Sequence, residues 1–254
     1  SLALVALTIA YTFCKKTQFY YLLVDHNVRK NSTKEAKKVK SLLKKKYLNL
    51  KILLKKKKIT KNIQAEARNV RYNILTSFCK KNNIKVILTA HNLEDQVETF
   101  LIRLSRGSGL KGLSAMKSKT KIDNQVILFR PLLDTQKRFL IKISKIIFGM
   151  YFKDPSNRNE KYLRTRVRNL KKPLEKSGIM YEKIFKSIQN LSQSKITLDR
   201  YLSKIFKEFI KKKSNSEILI NFKKYQHLNN DTKIAVINHS IKQLKRNYYD
   251  LRSK

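Results

Sequence analysis

Short apolar runs alternate with amphipathic segments through the first part of the chain, and this alternation constrains the fold more than any other feature. Residues 18–24, QFYYLLV, form the first continuous apolar run, and further runs cover residues 50–54, 86–90 and 126–133. The segments between them space their apolar side chains as helices do. Continuous apolar runs are typical of parallel strands covered by helices on both faces. The sequence therefore predicts an α/β fold with a doubly wound parallel sheet.

Helices are predicted before and between these strands. They cover residues 1–13, 62–81, 93–106 and 135–148, and another begins near Ser32 or Thr33. The first lacks the flanks of a signal peptide and is shorter than the roughly 20 residues that span a membrane, so we expect a truncated buried helix. The strand pattern stops after residues 154–157, and residues 176–254 carry only helical signals. We expect one domain over residues 1–157 and a helical region over residues 158–254.

The charge of the chain indicates a polyanionic partner. Lys and Arg total 59 against 17 Asp and Glu, a formal net charge of +42. RNA, DNA or an anionic membrane surface offsets such a surplus. An AT-rich genome would account for much of the lysine, although it does not explain why acids are scarce. The two cysteines, Cys14 and Cys79, form no CxxC pair, which disfavours an iron–sulfur or structural zinc site and is consistent with a reducing cytoplasm.

Acidic residues cluster after the third predicted strand. Glu94, Asp95 and Glu98 lie within five positions, and His91 precedes them. Ligands of parallel sheets bind beyond the carboxyl ends of strands, and Asp95 and Glu98 share one helical face. The acids then hold a metal or a substrate ammonium group. Alternatively they only complement the positive helix N-terminus, an effect of about 0.3–1 kcal/mol each. The residues alone leave both interpretations open.

Three further groups of residues are candidates. Asp25, His26 and Arg29 follow the first strand and form either a loop over a nucleotide or an ordinary polar turn. Arg68 and Arg71 share a helical face and either bind phosphate or carboxylate or are simply solvated. Arginine also concentrates after the DPSN segment, where bidentate or stacked contacts compete with a helix cap and a basic surface; the residues concerned are Asp154, Asn157, Arg164, Arg166 and Arg168.

Taken in order, five segments resemble one family. They are VDHNVR (24–29), NIQAEARNVRY (62–72), LTAHNLEDQVETFLIRLSRGSGLKGLS (88–114), RPLL (130–133) and DPSNRNEKYLRTRVR (154–168). This combination is similar to the tRNA(Ile)-lysidine synthetase family of the PP-loop ATPase superfamily, over about residues 1–168. The family's ATP loop reads SGGxDS, and of it only Ser1 stands in this sequence. We therefore expect that the chain begins inside that loop and that without the loop it does not hold ATP productively.

The resemblance implies a fold, a reaction and its partners. The fold is the PP-loop, adenine nucleotide alpha hydrolase-like domain over residues 1–157, followed by a tRNA-contacting helical region over residues 158–254. The reaction joins free L-lysine to C2 of the wobble cytidine in tRNA(Ile) with a CAU anticodon, through an adenylated cytidine, with ATP and Mg²⁺. The implied enzyme is cytoplasmic, and a homodimer is compatible with the sequence.

The resemblance also implies roles for individual residues. Catalytic roles fall to His91, Asp95, Glu98, Arg68 and Arg71, and Asp95 is the candidate metal ligand. The nucleotide would lie against Ser1, Asp25, His26 and Arg29. The tRNA would meet Asp154, Asn157, Arg164, Arg166 and Arg168. Three alternatives remain: another PP-loop tRNA-modifying enzyme such as a cytidine thiolase, a non-catalytic RNA-binding paralogue without the ATP loop, and association with an anionic membrane.

Overall fold

A computed structural model of the chain describes residues 2–25, 32–54, 63–152 and 159–245, with only the backbone described for residues 63–65. The chain divides into two compact units. The first contains Ser1–Gly107 and Ala115–Phe185, and the second contains Ser108–Ser114 and Lys186–Lys254. The helices after residue 159 thus belong partly to the first unit, and the functional boundary at residue 157 stays a prediction.

The first unit alternates helices and strands. The amino-terminal part runs α1 (Leu2–Cys14), β1 (Tyr21–Asp25), α2 (Ser32–Lys44), β2 (Leu50–Leu54), α3 (Ile63–Lys81), β3 (Val86–Leu88) and α4 (Leu93–Leu104). After α5 (Leu110–Leu113), which belongs to the second unit, follow β4 (Lys119–Lys121), β5 (Ile127–Phe129), α6 (Lys137–Phe148), α7 (Leu163–Asn169), α8 (Lys171–Lys176) and the start of α9 (Tyr181–Phe209).

The described strands of this unit pair in two sheets. β1 and β2 are parallel, with Tyr21 opposite Leu50 and Asp25 opposite Leu54. β3 and β5 are also parallel, and β4 joins β5 in the antiparallel direction. These parallel pairs and the helices between them confirm the predicted α/β class. β4 was not predicted, because residues 119–121, KTK, are exposed and polar.

The apolar run at residues 126–133 was predicted as one strand, and this is wrong beyond Phe129. Pro131 has no backbone N–H to donate to a ladder, so a central strand cannot continue through it. Residues 131–134 instead form a turn. Leu132 and Leu133 are still buried, and Leu132 packs with Ala3 of α1 and Leu140 of α6.

The core of the first unit lies where helices cover the strands. One cluster joins α1, α2, β2 and α6 through Leu2, Ala6, Leu43, Leu50 and Phe148. A second joins α3, β3 and β5 through Cys79, Ile87, Val126 and Leu128. The helix predicted over residues 1–13 is observed as α1, in which Leu2, Ala3, Ala6 and Thr8 are buried, whereas residues 10–14 are exposed. Within the described ranges, no helix is both long and apolar enough to cross a membrane.

The second unit contains strands that the sequence did not reveal. After α9 come β6 (Ile210–Lys212), β7 (Ile218–Ile220), α10 (Phe222–Tyr225) and α11 (Asn230–Leu244). β6 and β7 form an antiparallel hairpin, so the expectation of helical signals alone over residues 176–254 is wrong. Each strand is three residues long, too short for a period-two pattern to stand out among the surrounding lysines.

Candidate functional site

The start of α4 is fixed by a reciprocal pair of hydrogen bonds. The Asp95 N–H donates to Asn92 Oδ1 at 3.0 Å, and the Asn92 N–H donates to Asp95 Oδ2 at 3.1 Å. This capping box satisfies two backbone donors that a helix otherwise leaves unpaired. α4 begins five residues after β3 ends, so its first turn stands beyond the carboxyl end of that strand. The Asp95 Oδ2 atom therefore stabilises the N-terminus of α4, which is one of the two roles that the sequence left open for these acids.

The other oxygen of Asp95 belongs to an ion-pair network with α7. Arg164 Nη2 donates to Asp95 Oδ1 at 2.8 Å, and Arg164 Nε donates to Glu98 Oε2 at 2.7 Å. Arg168 Nε and Nη2 donate to the two Glu98 oxygens at 2.6 and 3.0 Å. The Glu98 side chain is 2% exposed, so three charge-assisted bonds compensate its removal from water. Asp95 and Glu98 do lie together, as their spacing predicted.

The three arginines of α7 are placed differently from one another. Arg164 and Arg168 point at α4, and the hydrogen bonds to Glu98 raise the pKa of Arg168 above its ordinary value although burial opposes this. Arg166 instead donates to the backbone carbonyls of Glu160 and Lys161 at 2.9 and 3.2 Å. The predicted contact of these arginines with tRNA stays a prediction, since two of them are engaged with carboxylates.

His91 lies between β3 and α4 among positive charges. Its Nδ1 atom is 2.9 Å from Thr89 Oγ1. Burial and, after it, the positive charges of four neighbouring arginines together lower the pKa of His91 to about 4; these are Arg130, Arg68, Arg164 and Arg71. The imidazole is consequently neutral at pH 7. The structure thus brings Arg68, Arg71, Arg130 and Arg164 within electrostatic range of His91, and the catalytic roles of these residues stay a prediction.

Arg130 is a member of this group to which sequence reasoning gave no role. It directly follows β5 and is 6% exposed, and its Nη1 atom donates to the Lys117 carbonyl at 2.7 Å and to Thr120 Oγ1 at 3.0 Å. Its Nε atom is buried without a hydrogen-bond partner among the described residues. A lone arginine at the end of an apolar run was the available signal, because strand ends face ligands in parallel sheets.

Glu94 is a structural residue. Its Oε2 atom accepts from the Lys137 N–H at 2.8 Å, and its Oε1 atom lies 3.3 Å from Lys171 Nζ. Lys171 Nζ also lies 5.0 Å from the centre of the Tyr181 ring. Tyr181 is 1% exposed, and burial raises the pKa of its hydroxyl to about 12. Glu94 therefore fastens α4 to α6 and α8.

Asp25 and five other predicted residues remain to be placed. Asp25 is buried at the end of β1 and accepts from Thr33 Oγ1 in α2 at 2.8 Å. A role of Asp25 over a nucleotide stays a prediction. Ser1, His26, Arg29, Asp154 and Asn157 lie outside the described residues.

The arginines around His91 are suited to binding a polyphosphate, whereas Asp95 and Glu98 do not by themselves form a metal site. Guanidinium groups donate paired hydrogen bonds to phosphate, and the unpartnered Arg130 Nε is one such donor. Among described residues, no group of three His, Cys, Asp or Glu side chains could hold a metal ion. Mg²⁺ is commonly held by one or two carboxylates together with substrate phosphates and water, so Asp95 remains compatible with such a role.

The sequence and the fold are similar to those of known proteins. Residues 1–174 match a family described as the PP-loop domain. A tRNA(Ile)-lysidine synthase of Wolbachia pipientis wMel is 33% identical over 230 residues, which are 90% of this chain and 53% of that protein. One from Orientia tsutsugamushi strain Boryong is 38% identical over 175 residues, 68% of this chain and 39% of that protein. The chain spans about half the length of the curated relatives it matches.

A solved structure shares the fold. The U34-tRNA thiolase NcsA from Methanococcus maripaludis, determined with its [4Fe-4S] cluster, has a TM-score of 0.63 and covers 76% of this chain and 68% of that chain. Its sequence is 17% identical, so the likeness concerns the fold alone.

Proposed function

Since the chain belongs to the PP-loop domain family, we propose that it forms the catalytic part of an ATP-dependent ligase that joins L-lysine to C2 of the wobble cytidine in tRNA(Ile) with a CAU anticodon. The curated relatives at 33% and 38% identity support tRNA modification by this fold. The observation that carries the proposal is that Arg164, one of four arginines whose charges lower the pKa of His91, also pairs with the carboxylates of Asp95 and Glu98.

The cationic side of this site suits the nucleotide. Arg68, Arg71 and Arg130 would bind the phosphates of ATP, and Arg68 is oriented by the Tyr72 ring, whose centre lies 5.1 Å from its Cζ atom. Repulsion between the guanidinium groups is relieved when an anion binds between them. The cytidine O2 would then displace pyrophosphate from the α-phosphate, which activates C2 as an adenylate.

The acidic side suits the amine. A lysine ammonium group would share the Asp95 carboxylate with Arg164. The Arg164 guanidinium already donates to both Asp95 and Glu98. The amine must lose a proton before it attacks C2, and AMP leaves as the new C–N bond completes. His91 is neutral and so able to accept that proton, and its basicity rises when bound phosphate offsets the arginine charges. Mg²⁺, when bound, supplies charge neutralisation at the phosphates.

The chain gives no support to the thiolase alternative. An iron–sulfur cluster is held by several cysteine thiolates, and this sequence has two cysteines. Cys79 is buried in the core beside Ile87, and Cys14 is exposed at the end of α1. Incorporation of lysine into tRNA(Ile) distinguishes the ligase from a non-catalytic RNA-binding paralogue.

The test is incorporation of labelled lysine into tRNA(Ile) by the complete encoded protein. We expect Asp95→Asn to lower incorporation by at least about a hundredfold, as loss of a catalytic electrostatic contact does. Asp199→Asn is the matched control, because Asp199 is 52% exposed and pairs with Lys195 on α9. Release of pyrophosphate without lysine separates activation from amine transfer. Normal incorporation by Asp95→Asn, or none by the unaltered protein, would refute the proposal.

A further inference from the structure

The β6–β7 hairpin presents side chains that point away from the core of the second unit. Lys211 and Leu219 lie opposite each other in the register, and both are exposed, whereas their neighbours Ile210, Ile218 and Ile220 are partly buried. The Asn221 N–H donates to the Phe209 carbonyl at 2.9 Å, which extends the ladder to the start of α10. We call the exposed residues Lys211, Leu219, Phe222 and Lys223 the hairpin surface.

The hairpin surface carries positive charge that nearby acids do not cancel. The two acids of residues 204–224 each already have a lysine partner: Glu208 pairs with Lys224, and Glu217 pairs with Lys213 at 3.4 Å. Neither Lys211 nor Lys223 forms an ion pair with an acid in the part of the chain that the structure describes. Over residues 186–245 there are thirteen basic and four acidic side chains. A partner for this surface must therefore be anionic.

Two aromatic residues, Phe222 and Tyr225, flank two lysines in the sequence. The Phe222 side chain is 70% exposed although it is large and apolar. Its ring stacks on that of Tyr225, with centroids 6.5 Å apart and an angle of 29° between the planes. Both rings belong to α10, whose N-terminus is capped by Asn221: its Oδ1 atom accepts from the Lys224 N–H at 3.2 Å. One face of the Phe222 ring is therefore accessible to a partner.

We propose that the hairpin surface binds an unpaired nucleotide of RNA, with the base stacked on Phe222 and the adjoining phosphates on Lys211 and Lys223. Aromatic rings beside cationic side chains are how proteins bind single-stranded RNA, since every base offers a π-face. An anionic membrane is less well matched, because insertion needs a broad apolar face. On the hairpin surface only Leu219 and Phe222 are apolar. The choice of tRNA as the RNA rests on the proposed function.

The absence of tryptophan from the sequence makes a sharp test available. Phe222→Trp introduces one indole into the 254-residue chain, and Tyr201→Trp, at a side chain 54% exposed on α9, is the matched control. We expect tRNA(Ile) and its isolated anticodon stem-loop to quench fluorescence at position 222, and a fully paired RNA duplex and the control to show no quenching. Equal quenching at both positions, or none at 222, overturns the proposal.

Affinity measurements separate stacking from charge. Phe222→Ala is expected to weaken stem-loop binding by about 5- to 100-fold, the effect of losing one stacked base, with an unchanged salt dependence. The double variant Lys211→Gln/Lys223→Gln is expected to reduce the slope of log K against log salt by about 1.4 for a single strand. An unaltered affinity in Phe222→Ala overturns the proposal, provided that circular dichroism shows the variant to be folded.

Two further outcomes have separate meanings. If vesicles of 70% phosphatidylcholine and 30% phosphatidylserine blue-shift the tryptophan at position 222 while RNA does not quench it, the surface binds membrane and the proposal is wrong. If RNA binds at position 222 but the protein incorporates no lysine, the hairpin surface stands and the proposed ligase activity fails. If Phe222→Ala incorporates lysine and binds RNA as well as the unaltered protein does, the proposed ligase activity stands and the proposal for the hairpin surface is wrong.

Discussion

Replacing Glu98 by glutamine should destabilise the first unit more than any surface charge change. Glutamine keeps the shape of Glu98 but places an amide NH₂ where one oxygen accepted an arginine N–H. Glu98 accepts three hydrogen bonds from Arg164 and Arg168, and at least one becomes a contact between donors. Breaking a buried ion pair costs about 3–5 kcal/mol. Arg164 and Arg168 are 36% and 29% exposed, so water compensates in part and we expect about 2–3 kcal/mol.

The loss is measured as the free energy of unfolding of the 254-residue chain in urea, with thermal melting alongside. For a chain of this size the melting temperature should fall by about 4–12 °C. Glu217→Gln is the matched control, since Glu217 and Lys213 are 57% and 64% exposed. Exposed pairs of this kind contribute about 0.3–0.5 kcal/mol, so the control should melt close to the unaltered chain.

A double-mutant cycle decides whether the network is the cause. Glu98→Gln combined with Arg168→Gln should cost less than the sum of the single changes by about 1 kcal/mol or more, because the second change removes the charge that the first left unpaired. If Glu98→Gln matches Glu217→Gln, or if the two changes add without coupling, then the contact between α4 and α7 does not depend on this ion-pair network.

Two further predictions concern His91 and Tyr181. The imidazole of His91 should titrate near pH 4 by NMR, and its pKa should rise when ATP or pyrophosphate binds; a value near 6.5 in the free protein would contradict the arginine cluster. Because its folded pKa lies below its unfolded value, stability should fall as the pH drops from about 6.5 towards 4, and His91→Gln should weaken that fall. Tyr181→Phe should leave the free energy of unfolding unchanged or raise it by about 1 kcal/mol, since the Tyr181 hydroxyl is buried without a described partner; a clear loss in urea unfolding would show a missed hydrogen bond.

The order of elements in the first unit could be predicted because each apolar period is local. β2 has the predicted bounds Leu50–Leu54, and α4 begins at the predicted Leu93. The hairpin of β6 and β7 could not be predicted, since its strands gain their pairing only when Ile210 meets Ile220. Likewise, β5 is shorter than its apolar run because a proline removes a donor that hydropathy does not record.

In the candidate site, too, some features could be predicted from local sequence and others depend on the packing of distant elements. The one-turn spacing of Asp95 and Glu98 placed both on one helical face, and the end of β3 placed His91 just before that helix. That Arg164 and Arg168 face these acids, 66 to 70 residues away in sequence, followed only from the packing of α7 on α4. Arg130 also entered the group only through the fold, because its burial and its distance from His91 depend on how β3 and β5 pair.

By itself the sequence determined the alternation of strands and helices, the excess of positive charge and the acidic turn of α4, because periodicity, composition and helical spacing are properties of neighbouring residues. Only the tertiary structure decided which of many arginines balance Glu98, which surround His91 and which side chains the hairpin exposes. A chain with this many positive charges offers numerous equivalent partners in sequence, and burial in a packed core selects among them since an unpaired buried charge is too costly to retain.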